Sequence, residues 1–131
     1  MSRLAVVTGA ARGIGFAISS KLVDRGWSVA GCDILSEDLD RAAAKLGGGF
    51  RPWLLDVTSE EAVNETAGRI EKEMGQVFGL VNNAGITRDG LLMRMSRADW
   101  DTVLSVNLTG AFHMCRAFSR GMLRQKEGSI V

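Results

Sequence analysis

The segment TGAARGIG, residues 8–15, constrains the fold more than any other part of the sequence, because it joins a strand pattern to a helix pattern. Residues 4–8 (LAVVT) form a nearly continuous apolar run, which is typical of a parallel strand covered on both faces. Residues 14–25 place apolar side chains at helical spacing. A glycine-rich turn in this context predicts a phosphate-binding loop in a βαβ unit, and a glycine turn without a ligand is the simpler alternative.

The same alternation of short apolar runs and amphipathic segments continues to the end of the sequence. It predicts strands at 4–8, 27–32, 50–55, 78–82 and 128–131, and helices at 14–25, 36–46, 58–75 and about 99–124. Pro52 interrupts the third strand and places it at a sheet edge, because proline lacks a ladder donor. We therefore predict an α/β fold: a doubly wound parallel (Rossmann) sheet in the order 3-2-1-4-5, incomplete, with helices on both faces.

Four polar residues are predicted to mark the starts of helices and turns. Ser36 is expected to cap the second helix, and Thr58 or Ser59 the third. Ser96 is expected to cap a short turn ahead of the long fourth helix.

The composition excludes several other classes of protein. With 131 residues, 46% apolar and 24% charged, the sequence fits one globular domain. Its net charge of +1, with both signs interspersed, gives no basic stripe for nucleic acid or a membrane surface. A single histidine, His113, and two cysteines without ligand spacing predict no metal site. Cys32 and Cys115 are interpreted as reduced thiols of a cytoplasmic protein.

Each glycine of the loop has a predicted role in holding a dinucleotide. Gly9 allows a tight turn, Gly13 lets the backbone approach a pyrophosphate, and Gly15 lets the helix pack closely on the strand. The free amides at the start of the helix would then face the anion. Residues 1–131 are therefore predicted to form a dinucleotide-binding Rossmann domain.

Asp33 indicates which dinucleotide the domain prefers. It ends the second strand, close to the expected offset of about 20 residues after Gly15. Its carboxylate can accept hydrogen bonds from the adenosine ribose and repel a 2′-phosphate, whereas Arg12 could pair with that phosphate. Because an exposed arginine can swing away and a fixed carboxylate cannot, NAD(H) is favoured and NADP(H) remains possible. The alternative for Asp33 is a capping or turn carboxylate ahead of Ser36.

Three further motifs follow in order: LLDV at 54–57, NNAG at 82–85 and SVNL at 105–108. With the glycine loop, they make the sequence resemble the short-chain dehydrogenase/reductase family over almost its whole length. Residues 82–108 are similar to β-ketoacyl-[acyl-carrier-protein] reductases and the related acetoacetyl-CoA reductases. The resemblance implies NAD(P)H-dependent reduction of a 3-oxoacyl thioester, on acyl-carrier protein or coenzyme A, to the 3-hydroxyacyl thioester, as in fatty acid biosynthesis.

The resemblance also implies roles for residues around the cofactor. Asp56 should contact the adenine amino group and Val57 should flank the ring, with Ile34 packing on one adenine face. Ile14 should sit beside the pyrophosphate and nicotinamide. For Asp56, capping the helix at Thr58 remains an open alternative.

The NNAG motif should line the cofactor ribose at the end of the fourth strand, through Asn83, Ala84 and Gly85. Asn82 is expected to tie the strand ends together, since a buried amide must find partners. Asn107 resembles the asparagine of the family's catalytic Asn-Ser-Tyr-Lys set, which holds a water of a proton relay. Its alternative is an asparagine that bonds its own helix backbone.

The sequence contains no tyrosine and ends at the start of the predicted fifth strand. We therefore expect a domain truncated before the Ser/Tyr/Lys segment, and a 131-residue chain that is inactive alone. His113 matches no family position and is interpreted as a packed or surface histidine. Lys126 lies near the place where related reductases carry a basic residue that docks acyl-carrier protein.

Two hypotheses about function remain open. In the first, the chain is the N-terminal portion of an NADH-dependent 3-oxoacyl thioester reductase, a homo-oligomer (tetramer or dimer) by resemblance. In the second, it is a non-catalytic dinucleotide-binding or interaction module. A short-chain dehydrogenase acting on another alcohol or ketone is a further alternative to the first.

Overall fold

Parallel pairing of five short strands builds the frame of the molecule. The computed structural model describes residues 2–131. Its strands are β1 (Leu4–Thr8), β2 (Ser28–Asp33), β3 (Phe50–Leu54), β4 (Val77–Val81) and β5 (Ser129–Ile130). They are parallel and lie in the order β3-β2-β1-β4-β5, which confirms the predicted doubly wound topology.

Five helices connect and cover these strands. They are α1 (Gly13–Asp24), α2 (Ser36–Leu46), α3 (Glu60–Met74), α4 (Arg97–Leu104) and α5 (Gly110–Gln125). Short 3-10 turns lie at Gly47–Gly49 and Leu92–Arg94, and a π-helical turn at Ser105–Thr109 joins α4 to α5 without a break. The helix predicted from about residue 99 is therefore α4, the π-helical turn and α5 in succession.

The central strand β1 supplies apolar side chains to both faces of the sheet. Val6 belongs to one buried cluster with Ile70 of α3 and Phe118 of α5. Val7 belongs to a second buried cluster with Leu39 of α2. Burying one such side chain stabilises the fold by about 1.5–3 kcal/mol. The continuous apolar run of β1 follows from this burial on both faces.

Pro52 lies in β3 at the edge of the sheet, as predicted. Its partner in the register is Gly31 of β2. In the described part of the chain β3 pairs with no second strand. The missing amide of proline therefore breaks no ladder hydrogen bond between strands.

The caps of two helices differ from the sequence prediction. Ser36 is the first residue of α2 and its side chain makes no capping hydrogen bond. Asp33 Oδ1 accepts from the amides of Ile34 and Leu35 at 2.7 and 3.1 Å, so this carboxylate closes the turn ahead of α2 without capping the helix itself. Ser96 Oγ accepts from the Asp99 amide at 3.0 Å and caps α4 itself, and so the short separate turn predicted at Ser96 was wrong.

The start of α3 settles the choice between two candidate caps. Ser59 Oγ accepts from the Ala62 amide at 3.2 Å, which makes Ser59 the cap. Thr58 lies one residue too early and bonds Asp56.

Candidate cofactor-binding site

A cleft of about 430 Å³ opens at the carboxyl ends of the central strands. Its walls are the segments that follow β1, β2, β3 and β4, together with Val106 of the π-helical turn. The strand order turns back here, because β2 and β4 flank β1 on opposite sides. Ligands of doubly wound sheets bind at such a switch point.

The cleft gathers almost all the residues predicted to bind the cofactor. Those that line it are Gly9, Arg12, Gly13, Ile14, Asp33, Ile34, Asp56, Val57, Asn83, Ala84 and Gly85. Gly15 and Asn107 lie outside the lining, behind the loop and behind Ile86 respectively. Cys32, Leu35, Leu55, Ile86 and Val106 also line the cleft, although sequence reasoning did not select them.

The glycine loop is held in a shape that only glycine supplies at two points. Gly9 has a φ of +65°, in the left-handed region that other residues rarely adopt. At Gly15 a side chain would overlap the Gly9 carbonyl oxygen and approach Asn83 Nδ2 to 2.5 Å. The close packing predicted for Gly15 is therefore present, and it involves the NNAG segment as well as β1.

The start of α1 leaves backbone donors free at the cleft. Arg12, the residue before the helix, is extended, and its side chain caps no amide. The Phe16 amide bonds the Arg12 carbonyl, and the amides of Gly13, Ile14 and Gly15 have no partner in the described part of the chain. Free amides at a helix start attract anions.

The Asp33 carboxylate ties the end of β2 to the glycine loop. Its Oδ2 accepts from the Ala11 amide at 3.0 Å, and its Oδ1 accepts from Ile34 and Leu35. The alternative given for Asp33, a carboxylate that stabilises the turn ahead of Ser36, is therefore also present in the structure. A carboxylate has about four acceptor positions, so these three bonds leave one on Oδ2 for a ligand hydroxyl.

Thr8 is the first residue of the TGAARGIG segment and joins β1 to the NNAG segment, a role that the sequence did not predict. Its Oγ1 accepts from the amides of Asn83 and Ala84 at 3.0 and 2.9 Å and can donate to the Val81 carbonyl at 3.3 Å. The Asn83 side chain donates to the carbonyls of Thr8 and Gly9. The signal in the sequence is a hydroxyl residue at the end of an otherwise apolar strand.

The two asparagines of NNAG make different contacts from those predicted, because Asn82 was expected to tie the strand ends together. Asn83, rather than Asn82, ties the ends of β1 and β4 together. Asn82 donates to Cys115 Sγ at 3.3 Å, and its buried Oδ1 has no partner among the described residues. Asn82 therefore connects β4 to α5.

The segment between β3 and α3 forms the far wall of the cleft. Asp56 Oδ1 accepts from the amide and hydroxyl of Thr58, at 2.9 and 2.7 Å, which closes a tight turn. The other carboxylate oxygen, Oδ2, has no bond to a described residue. Val57 is buried, and its carbonyl lies 2.8 Å from Nδ1 of the buried His113 on α5.

Asn107 bonds the loop after β4 instead of its own helix. Its Oδ1 accepts from the Ile86 amide at 2.8 Å, and its Nδ2 donates to the Ile86 carbonyl at 3.0 Å. The alternative of a helix-bonded asparagine is therefore wrong. Asn107 lies in the π-helical turn, and such turns are frequent at functional sites.

Cys32 lines the floor of the cleft as a protonated thiol. Burial, and secondarily the charge of Asp33, raises the pKa of Cys32 to about 12. A thiol in this state is a weak nucleophile and metal ligand. Residues 2–131 contain no group of three or more His, Cys, Asp or Glu that could hold a metal ion. No helix in the same range is long and apolar enough to cross a membrane.

The parallel sheet, glycine loop and switch-point cleft define a Rossmann-type α/β protein. A family model described as short chain dehydrogenase matches residues 3–131. The chain therefore belongs to the short-chain dehydrogenase family.

Individual relatives share this part of the sequence and the fold. The chain is 40% identical to the 3-oxoacyl-[acyl-carrier-protein] reductase FabG of Thermotoga maritima, over 98% of this chain and 54% of that protein. It is 41% identical to the FabG protein of Vibrio harveyi and 38% identical to that of Escherichia coli, in each case over 98% of this chain and 53% of the relative. A crystal structure of a short-chain dehydrogenase from Streptomyces avermitilis superposes with a TM-score of 0.93 and 29% identity, over 99% of this chain and 48% of that one. The chain spans about half the length of these relatives.

Proposed function

We propose that residues 1–131 form the dinucleotide-binding domain of an NADH-dependent reductase of 3-oxoacyl thioesters. One observation carries the cofactor part of this proposal. The free amides at the start of α1 and the unused acceptor position of Asp33 face the same cleft. An anion-binding helix start beside a ribose-binding carboxylate is the donor set that a dinucleotide requires.

The residues of the cleft have separate tasks in this proposal. The amides of Gly13 and Ile14 bind the pyrophosphate, and Gly9 keeps the turn open for it. Asp33 binds the adenosine ribose, while Asn83, Ala84 and Gly85 line the second ribose. Ile34 is 65% exposed and Ile14 is 73% exposed, so each has an apolar surface free to pack against a ring of the cofactor.

Asp33 favours NAD(H) over NADP(H) by charge. A 2′-phosphate would bring a charge near −2 to a carboxylate that three amides hold in place. Arg12 is the exposed cation of the lining and offers the phosphate a partner. The repulsion of the phosphate by the fixed Asp33 carboxylate outweighs its attraction to Arg12, because the exposed Arg12 side chain must lose conformational entropy before it can pair.

When bound, NADH would supply the hydride that reduces the ketone. The contribution of Asn107 is to hold a water in reach of the cleft, because Oδ1 and Nδ2 each use one bond on Ile86 and keep one position free. The general acid of the reaction is not assigned to any residue of this chain, which contains no tyrosine.

The 3-oxoacyl substrate is proposed from the FabG relatives, whose name states a 3-oxoacyl-[acyl-carrier-protein] reductase activity. Lys126 and Arg124 are exposed at the end of α5 and form a basic site for an acidic carrier protein. Fatty acid biosynthesis in the cytoplasm is the setting that this substrate suggests.

An exposed apolar row on α4, the π-helical turn and α5 supports a homo-oligomer, a tetramer or dimer. Trp100, Leu104, Leu108 and Phe112 recur every fourth residue, and each is at least 37% exposed. Leu108→Glu would place a charge in the centre of this row. Sedimentation of the wild-type chain should show self-association that this variant loses, and a monomeric wild type would contradict the proposal.

The cofactor proposal is tested by titrating the 131-residue chain with NADH and with NADPH and following nicotinamide fluorescence. We expect NADH to bind at least about tenfold more tightly. No binding of either nucleotide would contradict the proposed function, and tighter binding of NADPH would contradict the role of Asp33.

Turnover separates the reductase from the non-catalytic module. The 131-residue chain should oxidise no NADH in the presence of acetoacetyl-CoA. The same assay on a chain extended through the C-terminal half of the gene's reading frame should show turnover if the protein is a 3-oxoacyl thioester reductase. An extended protein that binds NADH but leaves acetoacetyl-CoA unreduced would favour a dehydrogenase of another alcohol or ketone, or a binding module.

A further inference from the structure

His113 contacts the wall of the cleft that Asp56 and Val57 form, without lining the cleft itself. It is 9% exposed on α5, and its Nδ1 lies 2.8 Å from the Val57 carbonyl oxygen. A carbonyl can only accept, so Nδ1 carries the proton in this contact. The two residues are 56 positions apart in the sequence, so the bond fixes one element against another.

The Val57 carbonyl needs this donor because it lies outside the sheet. β3 ends at Leu54, and the following segment reaches α3 without a ladder partner for Val57. A buried carbonyl without a donor destabilises the fold, and a loop in that state would move to find one. His113 is the donor that the structure gives it.

The Val57 side chain is held by the same helix at a second point. Gly110 lies one turn before His113 and is buried. A Cβ on Gly110 would lie 2.6 Å from Val57 Cγ2, so the valine occupies space that only glycine leaves free. α5 therefore fixes both the backbone and the side chain of Val57.

Asp56 precedes Val57, and its carboxylate faces the cleft with one oxygen unused. Oδ1 is occupied by Thr58, and Oδ2 has no partner among the described residues. A free carboxylate oxygen accepts from an amino group, such as the exocyclic N6 of adenine, and cannot bond the oxygen that hypoxanthine carries there. The position of this oxygen depends on where Val57 is anchored.

We infer that His113 is a positioning residue, which together with Gly110 holds the Asp56–Val57 segment in the place where it selects an adenine base. The inference rests on the proposed dinucleotide function. His113 touches no ligand and acts through the Val57 carbonyl.

The test compares NADH with reduced nicotinamide hypoxanthine dinucleotide, which has an oxygen in place of the 6-amino group and a proton on N1, and is otherwise the same molecule. The ratio of their dissociation constants measures selection of adenine and does not change when a variant merely lowers the fraction of folded protein. His113→Leu keeps an apolar side chain of similar size but removes the donor. His113→Asn offers an amide Nδ2 at the position of Nδ1.

We expect the wild type to prefer NADH, His113→Leu to reduce that preference about tenfold, and His113→Asn to restore most of it. Met122→Ala is the matched control, because Met122 is buried on α5 away from the cleft. It should destabilise the protein and leave the ratio unchanged. Circular dichroism shows which variants are folded.

The failures of the two proposals are distinguishable. A wild type that binds neither dinucleotide contradicts the proposed function. A wild type that prefers NADH, with a His113→Leu variant that keeps the full preference, overturns the role of His113. If His113→Leu does not fold, the same ratio of dissociation constants is measured for Gly110→Ala, because the added Cβ displaces Val57 directly. An unchanged ratio in a folded Gly110→Ala variant overturns the inference as well.

Discussion

Asn83 donates two hydrogen bonds to Thr8: its amide bonds Thr8 Oγ1 at 3.0 Å, and its Nδ2 bonds the Thr8 carbonyl at 3.1 Å. The pair joins the end of β1 to the segment after β4, which are 75 positions apart. Because the glycine loop begins directly after Thr8, the same bonds place two walls of the cleft at a fixed separation.

Thr8→Val is expected to lower the free energy of unfolding by about 2–4 kcal/mol, because it leaves the Asn83 and Ala84 amides without an acceptor. Urea unfolding followed by tryptophan fluorescence measures this change. Thr8→Ser keeps the hydroxyl and should cost about 1 kcal/mol for the lost methyl group. Equal losses in the two variants would show that the hydroxyl contributes no more than its methyl neighbour.

Gly15→Ala is expected to prevent folding or to reduce stability by more than about 3 kcal/mol, because its Cβ overlaps the Gly9 carbonyl. Thermal unfolding by circular dichroism measures the effect. Gly68→Ala is the matched control, since Gly68 lies exposed in α3 with open space around its Cβ position. The control should stabilise the protein by about 0.5–1 kcal/mol, and a stable Gly15→Ala variant would contradict the close packing.

Asp33→Asn is expected to raise the affinity for NADPH relative to NADH by about tenfold or more, because it removes the charge that repels a 2′-phosphate. The ratio of the two dissociation constants is the measurement. Asp24→Asn removes an exposed carboxylate at the end of α1, away from the cleft, and should leave the ratio unchanged.

The same Asp33→Asn variant should also have a free energy of unfolding lower by about 1–3 kcal/mol. Three backbone amides donate to the Asp33 carboxylate, and at least one of them would then face the NH₂ group of asparagine instead of an oxygen. Urea unfolding without nucleotide separates this loss from the change in selectivity. Unchanged stability would mean that the amide finds another acceptor.

Stability should fall as the pH rises above about 9, because of Cys32. The folded state raises the pKa of this thiol to about 12, whereas an unfolded thiol has a pKa of about 8.5. Between these values the unfolded chain releases a proton that the folded chain retains, so the stability present at lower pH is lost through this window. The contribution between pH 8 and pH 10 is about 1–2 kcal/mol.

Comparing Cys32→Ala with the wild type isolates this contribution. The variant should show a smaller fall in the free energy of unfolding between pH 8 and pH 10, measured with urea. Cys115→Ala should keep the fall that belongs to Cys32. A wild type and a Cys32→Ala variant with the same pH dependence would contradict the raised pKa.

The sequence was sufficient for the fold and for most of the cleft, because the signals involved are local. The glycine loop, the apolar runs and Pro52 each report the conformation of a few adjacent residues. A parallel sheet then brings the ends of neighbouring strands together, which is why the local pattern predicts Gly9 and Asp33 at one edge. Asp56 and Asn83 were predicted there from the resemblance to the short-chain dehydrogenase/reductase family.

Local sequence signals do not predict the hydrogen bonds that join the walls of the cleft, because these bonds connect residues far apart in the sequence. The bond from His113 to Val57 and the two bonds from Asn83 to Thr8 depend on which side chains face each other across the sheet and helices. A serine at the start of a helix pattern is usually its cap, but Ser36 is already the first residue of α2, and its side chain makes no capping bond. The π-helical turn at Asn107 has no composition that distinguishes it from an α-helix.

The placement of β1 couples the occupancy of the cleft to the folding equilibrium. Its side chains enter both apolar clusters, and its carboxyl end runs directly into the glycine loop. A ligand that binds only the folded chain at a hundredfold excess over its dissociation constant adds about 2.7 kcal/mol to the free energy of unfolding. For a domain of marginal stability, the melting temperature and the resistance to proteolysis then become a readout of the surrounding nucleotide concentration.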